Sequence, residues 1–375
     1  MRALFVTTLL VALVLPSGHT FASPTIDISD EDTARELARL YTQAAQGDVK
    51  AQNTLGWIEA NNKNWAAARG WWEKAAAHGN SGAQGALGVL YRDGLGVPQD
   101  YIKARGWFEK AAAQGLAMAQ HSLGSFYYYG HGVPQDHTKA REWCEKAAVQ
   151  GYAKAQYDLG VLYRVGQVMP QDYTKARQWF EKAAVQGNKN AQVSLGFLYE
   201  TGQGVPQDYA KARQWYEKAA VQGDAVAQDN LGMLYDNGHG VPQDHTKARE
   251  WFEKSAAQGD AGGQNDLGYL YVDGKGVPKD EIKGVEWIRK AAEQGDANGQ
   301  DSLGEMYRDG RGVPQDNVRA YMWFKLAVEQ YLRQGGTSME SVQRRDAVAK
   351  QLTPAQIAEA QLLAGQCQAR KFKGC

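Results

Sequence analysis

The stretch Gly94-Leu95-Gly96-Val97-Pro98-Gln99-Asp100 returns, with small changes, at Gly130, Gly166, Gly202, Gly238, Gly274 and Gly310, each time 36 residues further on. Self-similarity at a fixed period of this size marks a repeat architecture. Each repeat is one supersecondary unit that buries its apolar face only against its neighbours. Every copy joins two helix-like segments, so the chain reads as a row of helical hairpins. Its 375 residues would otherwise suggest two or three globular domains.

The physics of one unit is legible. Ala191, Leu195, Leu198, Tyr199 and Gly202 fall at steps of three and four, one face of a helix. Gly196 interrupts that helix at a cost of about 1 kcal/mol. The same Leu-Gly pair recurs in all eight units, which predicts a close helix–helix approach. Gly202 suits the left-handed residue that ends the helix, Pro206 stiffens the turn, and Asp208 is placed to cap the second helix. That helix carries Ala212, Trp215, Tyr216, Ala219 and Ala220 at helical spacing. It ends at Gln222-Gly223, and Asp224 can cap the next unit. Asn190 and its equivalents stand just before the first helix of their units.

The ends depart from the pattern. Residues 27–50 read as an N-terminal capping helix closed near Gly47, and residues 51–333 as eight repeats. The first repeat is shortened by four residues in its loop, Asn61 to Asn64. Residues 334–375 read as capping helices and a tail, the last helix opening on Thr353-Pro354-Ala355-Gln356. The expected fold is all-α: a right-handed α/α solenoid, or superhelix, with capping helices at both ends.

Charge excludes one class of partner. Lys plus Arg and Asp plus Glu number 42 each, so there is no basic field for nucleic acid. Residues 1–22 read as a signal peptide: Arg2, an apolar run from Ala3 to Leu15 too short to span a membrane, and Thr20-Phe21-Ala22 before the cut. A periplasmic or secreted protein is expected, without an integral membrane segment after cleavage. Three cysteines remain. Cys367 and Cys375 bracket a basic tail and are candidates for a disulfide in an oxidising compartment. Cys144 takes the slot of Phe108, Phe180 and Phe252, which predicts a buried thiol acting as a small hydrophobe.

The unit AQxxLGxxYxxGxGVPQDxxKAxxWxEKAAxQG resembles the Sel-one-like repeat (SLR) family, a relative of the tetratricopeptide repeat with a longer loop between its helices. The match runs from residue 44 to about 333, and the tail RRDAVAKQLTPAQIAEAQ resembles the helices that close many bacterial members. The resemblance implies a non-enzymatic adaptor. Exported bacterial members act in envelope signalling, in host-cell interaction, or as immunity proteins against toxins delivered to the periplasm, phospholipase effectors among them. One cysteine-rich subfamily is linked to β-lactam chemistry, but its cysteine pair in every repeat is missing here.

No catalytic pattern stands out. Ser-x-x-Lys, His-Glu-x-x-His, Cys-x-x-Cys and phosphate-loop motifs are absent from the sequence, and the Gly-x-Gly loops follow no strand. His131 with His137 and His239 with His245 occupy matching places, read as solvated loop residues rather than metal ligands. Acidic residues read mostly as caps and as Glu-Lys pairs such as Glu181-Lys182. Neither metal nor cofactor is expected.

What does not repeat is informative. The third, seventh and tenth positions of each first helix, counted from its Ala-Gln, vary freely and form one stripe opposite the core face. The stripe holds Tyr128, Tyr157, Val161, Arg164, Phe197, Glu200, Met233, Asp236 and Tyr269, and becomes charged at Asp301, Glu305 and Arg308. Exposed aromatic and Met residues are what interface hot spots use. The expectation is therefore a solvent-facing stripe in a concave groove that binds another protein, on a monomer or weak oligomer. The alternatives are an enzyme acting on cell-wall or β-lactam substrates, and a secreted host-interaction factor.

Overall fold

Hairpins of short helices recur from Val49 to Arg333 in the computed structural model, which describes residues 31–166, 169–336 and 338–375. The expected signal peptide lies outside the described residues. The chain forms two compact units that part between Ala191 and Gln192. In the first, α1 (Glu31–Ala45) precedes the pairs α2 (Val49–Asn61) and α3 (Trp65–Ala77), α4 (Ser81–Asp93) and α5 (Tyr101–Ala113). There follow α6 (Ala117–Tyr129) and α7 (His137–Val149), then α8 (Ala153–Val165) and α9 (Tyr173–Ala184). Helix α10 (Lys189–Thr201) carries the chain across the boundary. The second unit continues with α11 (Tyr209–Ala220), α12 (Ala225–Asn237), α13 (His245–Ala257), α14 (Ala261–Asp273) and α15 (Glu281–Glu293). It ends with α16 (Ala297–Asp309), α17 (Asn317–Arg333), α18 (Met339–Ala349) and α19 (Pro354–Ala369). Among the described residues there is no strand, and the fold is an α-solenoid of tandem hairpins.

Each loop residue is used on a helix end. Asp224 caps α12 by accepting from Ala227 N at 3.0 Å. Gly238 closes that helix at φ +70°, a left-handed value that a side chain would strain. The Gln243 amide then donates to the Asp236 carbonyl at 2.7 Å, and Asp244 accepts from Lys247 N at 3.0 Å to start α13. The Lys247 ammonium sits 5.4 Å from the Tyr235 ring centre, a weak cation–π contact that ties the second helix to the first. The second glycine of the loop has a separate reason. A Cβ on Gly240 would stand 2.8 Å from the backbone of Tyr209, so the loop lies directly on the start of the preceding second helix. One start differs from the sequence reading: α10 begins at Lys189, so Asn190 lies inside the helix, and Asn188 accepts from Ala191 N at 2.9 Å.

The recurring Leu-Gly glycine is the contact point of each hairpin. A Cβ on Gly88 would lie 2.5 Å from Phe108, on Gly160 2.6 Å from Phe180, on Gly232 2.5 Å from Phe252 and on Gly268 2.6 Å from Ile288. At Gly124 the facing atom is Sγ of Cys144, at 2.7 Å. Cys144 is a buried free thiol, and burial pushes its pKa up to about 12, which keeps it inert.

The hairpins carry a ladder of glutamines: a buried glutamine at the same place in the first helices bonds back to the preceding hairpin and across to the end of its own second helix. The buried Gln228 donates to the Ala220 carbonyl at 3.1 Å and accepts from Gln258 at 2.8 Å. The same step of 30 residues links Gln114 to Gln84, Gln150 to Gln120 and Gln186 to Gln156 in the first unit. In the second it links Gln222 to Gln192 and Gln294 to Gln264. Losing a buried hydrogen-bonding group costs about 1–3 kcal/mol. Gln228→Leu is therefore expected to cost about 2 kcal/mol and Gln258→Ala about 1 kcal/mol, by urea unfolding. The double variant should cost less than the two together, because both remove one bond. Strictly additive losses would show that the ladder is not energetically connected.

The surface pairs differ from expectation too. Glu181 pairs with Arg177 at 2.5 Å, while Lys182 lies over the Trp179 ring at 4.0 Å, so the two neighbours do not serve each other. At the end of the chain, α18 and α19 pack on α17, and Val348, Ala360 and Ala364 extend the core around Trp323 and Phe324. Thr353 and Gln356 form a reciprocal capping box with Pro354 in the first turn. Cys367 and Cys375 are joined by a disulfide, which ties the tail to α19.

Candidate functional site

The predicted stripe is found on the first helices, but most of it is half-buried, against its own second helix or the next hairpin. In the first unit Tyr128 packs against the core that includes Ala147 and Leu159, with its ring 5.0 Å from that of His137. Tyr157 lies 5.7 Å from the Phe180 ring, and Val161 and Arg164 are half-buried. In the second unit Met233 packs on the cluster of Phe252 and Leu267, and Tyr269 on that of Leu303 and Phe324. Asp229, Asn265 and Asp301, at the third position, are buried. The expected solvent-facing stripe thus holds for Phe197, 40 % exposed, and not for its neighbours. The helical wheel of one helix cannot show how far the next hairpin overlaps it.

Polar members of the stripe already have partners. Glu200 accepts from the Tyr216 hydroxyl at 2.7 Å, satisfying a buried group that phenylalanine would not present. Asp236 lies 2.7 Å from Nδ1 of His245. Tyr269 donates to Glu305 at 2.7 Å. The histidines are not simply solvated. His131 stacks on Tyr101 with ring centres 4.6 Å apart, and His239 on Tyr209 at 4.5 Å. Among the described residues no three His, Cys, Asp or Glu side chains gather closely enough to hold a metal ion.

The second unit contains a cavity of about 340 Å³ that sequence reasoning did not find. Three first helices supply one wall: Asp229 and Met233 from α12, Asn265 and Asp266 from α14, and Asn298 and Asp301 from α16. Tyr331 of α17 and Glu340, Ser341 and Arg344 of α18 supply the other. Gly262 makes room, since a Cβ there would meet the Asp229 carboxylate at 2.5 Å.

Charge is unevenly met around this cavity. Arg344 binds Asp301, and it also reaches Glu305 at 3.2 Å and Glu340 at 2.5 Å. Among the described residues Asp229 and Asp266 have no cationic partner. Burial, then the neighbouring carboxylates Asp266, Asp260 and Asp296, raise the Asp229 pKa well above the usual range. Burial likewise raises Asp266, opposed by the hydrogen bond it accepts from Asn265. Oδ1 of Asp229, Oδ1 of Asn265 and Oδ1 of Asp301 are buried with no hydrogen-bond partner. A native structure leaves few such groups, so three around one cavity mark it as a site.

Asp229, Asn265 and Asp301 were visible as free positions in the sequence. Asp266 sits one place outside the stripe, and Arg344 belongs to the non-repeating end. Nothing periodic connects them.

The geometry defines a class of protein: a repeat scaffold of stacked helical hairpins, with its variation confined to particular faces. The Sel1 repeat model matches residues 59–80, 81–116, 117–152, 153–188, 189–224, 225–260, 261–296 and 297–332. The chain belongs to the Sel1 repeat family. Sel1 repeats generally form non-catalytic scaffolds for protein–protein interaction. Among solved structures, the chain is similar to a protective antigen of uropathogenic Escherichia coli strains that displays an SLR fold. The two are 35% identical, with a TM-score of 0.77, over 93% of this chain and 74% of that one. A Sel1 repeat protein from Oxalobacter formigenes is also 35% identical, with a TM-score of 0.56, over 80% of this chain and 91% of the other. An immunity protein from Pseudomonas aeruginosa matches more weakly, 20% identical with a TM-score of 0.36 over 65% of this chain and 82% of that chain. The comparison with curated proteins yields no significant match. Among the described residues no helix is long and apolar enough to cross a membrane.

Proposed function

We propose that the protein is an exported, non-enzymatic scaffold that binds another protein through the non-repeating residues of its first helices. The observation that carries this reading is the contrast between positions. Loop, capping and ladder residues are all used on the scaffold itself, whereas Phe197 remains an exposed aromatic on a first helix. A ring left in water at a position the scaffold does not need is available as an interface anchor, since aromatic residues dominate binding hot spots. The apolar run before residue 22 supports export. A narrower form of the same reading is an immunity protein for a toxin delivered to the periplasm.

Phe197→Asp is the suitable probe, because the exposed ring can be charged without entering the core. Affinity capture from the native envelope is expected to recover a defined protein with the parent chain and at least tenfold less with the variant at equal helicity. Equal recovery would remove Phe197 from the interface. Failure of the folded parent to retain any protein would sink the scaffold reading. The narrower form requires that the captured protein be a toxic effector.

A further inference from the structure

The acidic cavity of the second unit has a chemistry of its own. Every unsatisfied polar atom around it is an acceptor: Oδ1 of Asp229, of Asn265 and of Asp301. The three residues are only 8 %, 7 % and 6 % exposed. Asp301 has the Ser341 hydroxyl beside it, whereas the Oδ1 atoms of Asp229 and Asn265 meet no donor. Four carboxylates line the space against one guanidinium, and that guanidinium is already shared among Asp301, Glu305 and Glu340. A carboxylate or phosphate would meet repulsion, and a neutral amide would bring an acceptor where only donors are needed. An ammonium presents three donors and a guanidinium five, with no acceptor in either. The acidic groups do not converge as metal ligands. The volume, about 340 Å³, lies at the small end of ligand pockets and suits one long side chain. Met233 and Tyr331 line it with apolar surface on which methylene groups can lie while the charged tip reaches the carboxylates.

We propose that this cavity receives one basic side chain, a lysine or an arginine, presented by the protein partner. This rests on the scaffold reading above and adds to it the chemistry of the partner's anchor. Asp229 and Asp266 meet the charge, and the orphan oxygens of Asn265 and Asp301 accept the remaining donors. Arg344 holds Asp301 in place and closes that end of the cavity.

The test uses the full chain and its Asp229→Asn, Asp266→Asn double variant, which keeps the shape of both side chains. Nα-acetyl-lysine methylamide, Nα-acetyl-arginine methylamide and the neutral Nα-acetyl-glutamine methylamide are titrated by calorimetry at pH 8. At least one cationic probe is expected to bind at a single site, at least tenfold more tightly than the neutral one, and to lose at least tenfold in affinity in the variant. Equal binding of cationic and neutral probes, or undiminished cation binding by the variant, overturns the proposal. Spermidine and envelope capture separate the sources of the cation. Loss of both probe binding and capture in the variant supports a partner's side chain. Loss of probe and spermidine binding with capture unchanged assigns the cavity to a free polyamine, which overturns the proposal and leaves the scaffold reading intact.

Discussion

Gly232→Ala is expected to destabilise the second unit by about 3 kcal/mol, although alanine is the better helix former by about 1 kcal/mol. The added methyl would stand 2.5 Å from Cε1 of Phe252 and 2.6 Å from its Cδ1. Phe252 is 1 % exposed and fills the centre of its hairpin, so the ring cannot swing aside without opening the core. Gly106→Ala is the matched control. Gly106 lies within α5 at an ordinary helical φ, and a Cβ there meets nothing within 4 Å. It should gain about 0.5–1 kcal/mol from the entropy that glycine loses on folding. Thermal unfolding followed by circular dichroism reads both. At about 2–4 °C per kcal/mol, the first variant drops by roughly 10 °C and the second rises slightly. Two changes of the same sign would show that the close approach is not what selects glycine at the Leu-Gly position.

Asp229→Asn is expected to stabilise the protein, and to do so only above mildly acid pH. Asp229 is raised to about 8 and Asp266 to about 6, against about 3.9 for an aspartate in the unfolded chain. Between those limits the folded state holds a proton that the unfolded state has released. Stability attributable to these groups therefore falls as pH rises from about 4 towards 8. One pKa unit corresponds to about 1.4 kcal/mol, so the pair is expected to cost a few kcal/mol at pH 8. The asparagine variant should match its parent near pH 4 and exceed it by about 2 kcal/mol or more at pH 8, by urea unfolding at both pH values. A constant difference across that range would mean that Asp229 titrates like a solvated carboxylate. The capping aspartates work in the opposite sense. Asp208 is lowered by the backbone hydrogen bond from Lys211, and it is common to parent and variant, so the difference isolates the cavity.

The hairpin itself was legible in the sequence because its causes are local. Gly238 needs a left-handed backbone, Asp244 needs a helix start beside it, and Gly232 needs a large residue twenty places on. Each of these rests on a fixed spacing that repeats. The role of Gln228 was not legible, since its partners, the Ala220 carbonyl of the preceding hairpin and Gln258 at the end of its own, carry no distinguishing neighbour. The free positions fall on the first helices, but most of them are half-buried rather than exposed. Tyr157 packs on Phe180 of its own hairpin and Met233 reaches Leu267 of the following one, so water is not all they touch. The cavity was hidden for a related reason. Asp229, Asp266, Asp301 and Arg344 are brought together by the stacking of three hairpins and a closing helix, and no single repeat holds more than one of them.

The glutamine ladder makes the hairpins interchangeable parts. Gln84 pairs with Gln114 and Gln156 with Gln186 by the same contact, so excision of residues 117–152 would remove one rung and leave its neighbours matched. A chain built this way can lengthen or shorten by recombination between its own copies, one whole 36-residue module at a time. Its reach is thereby free to drift, while the acidic cavity, anchored on the unrepeated helix that carries Arg344, travels unchanged with the terminus.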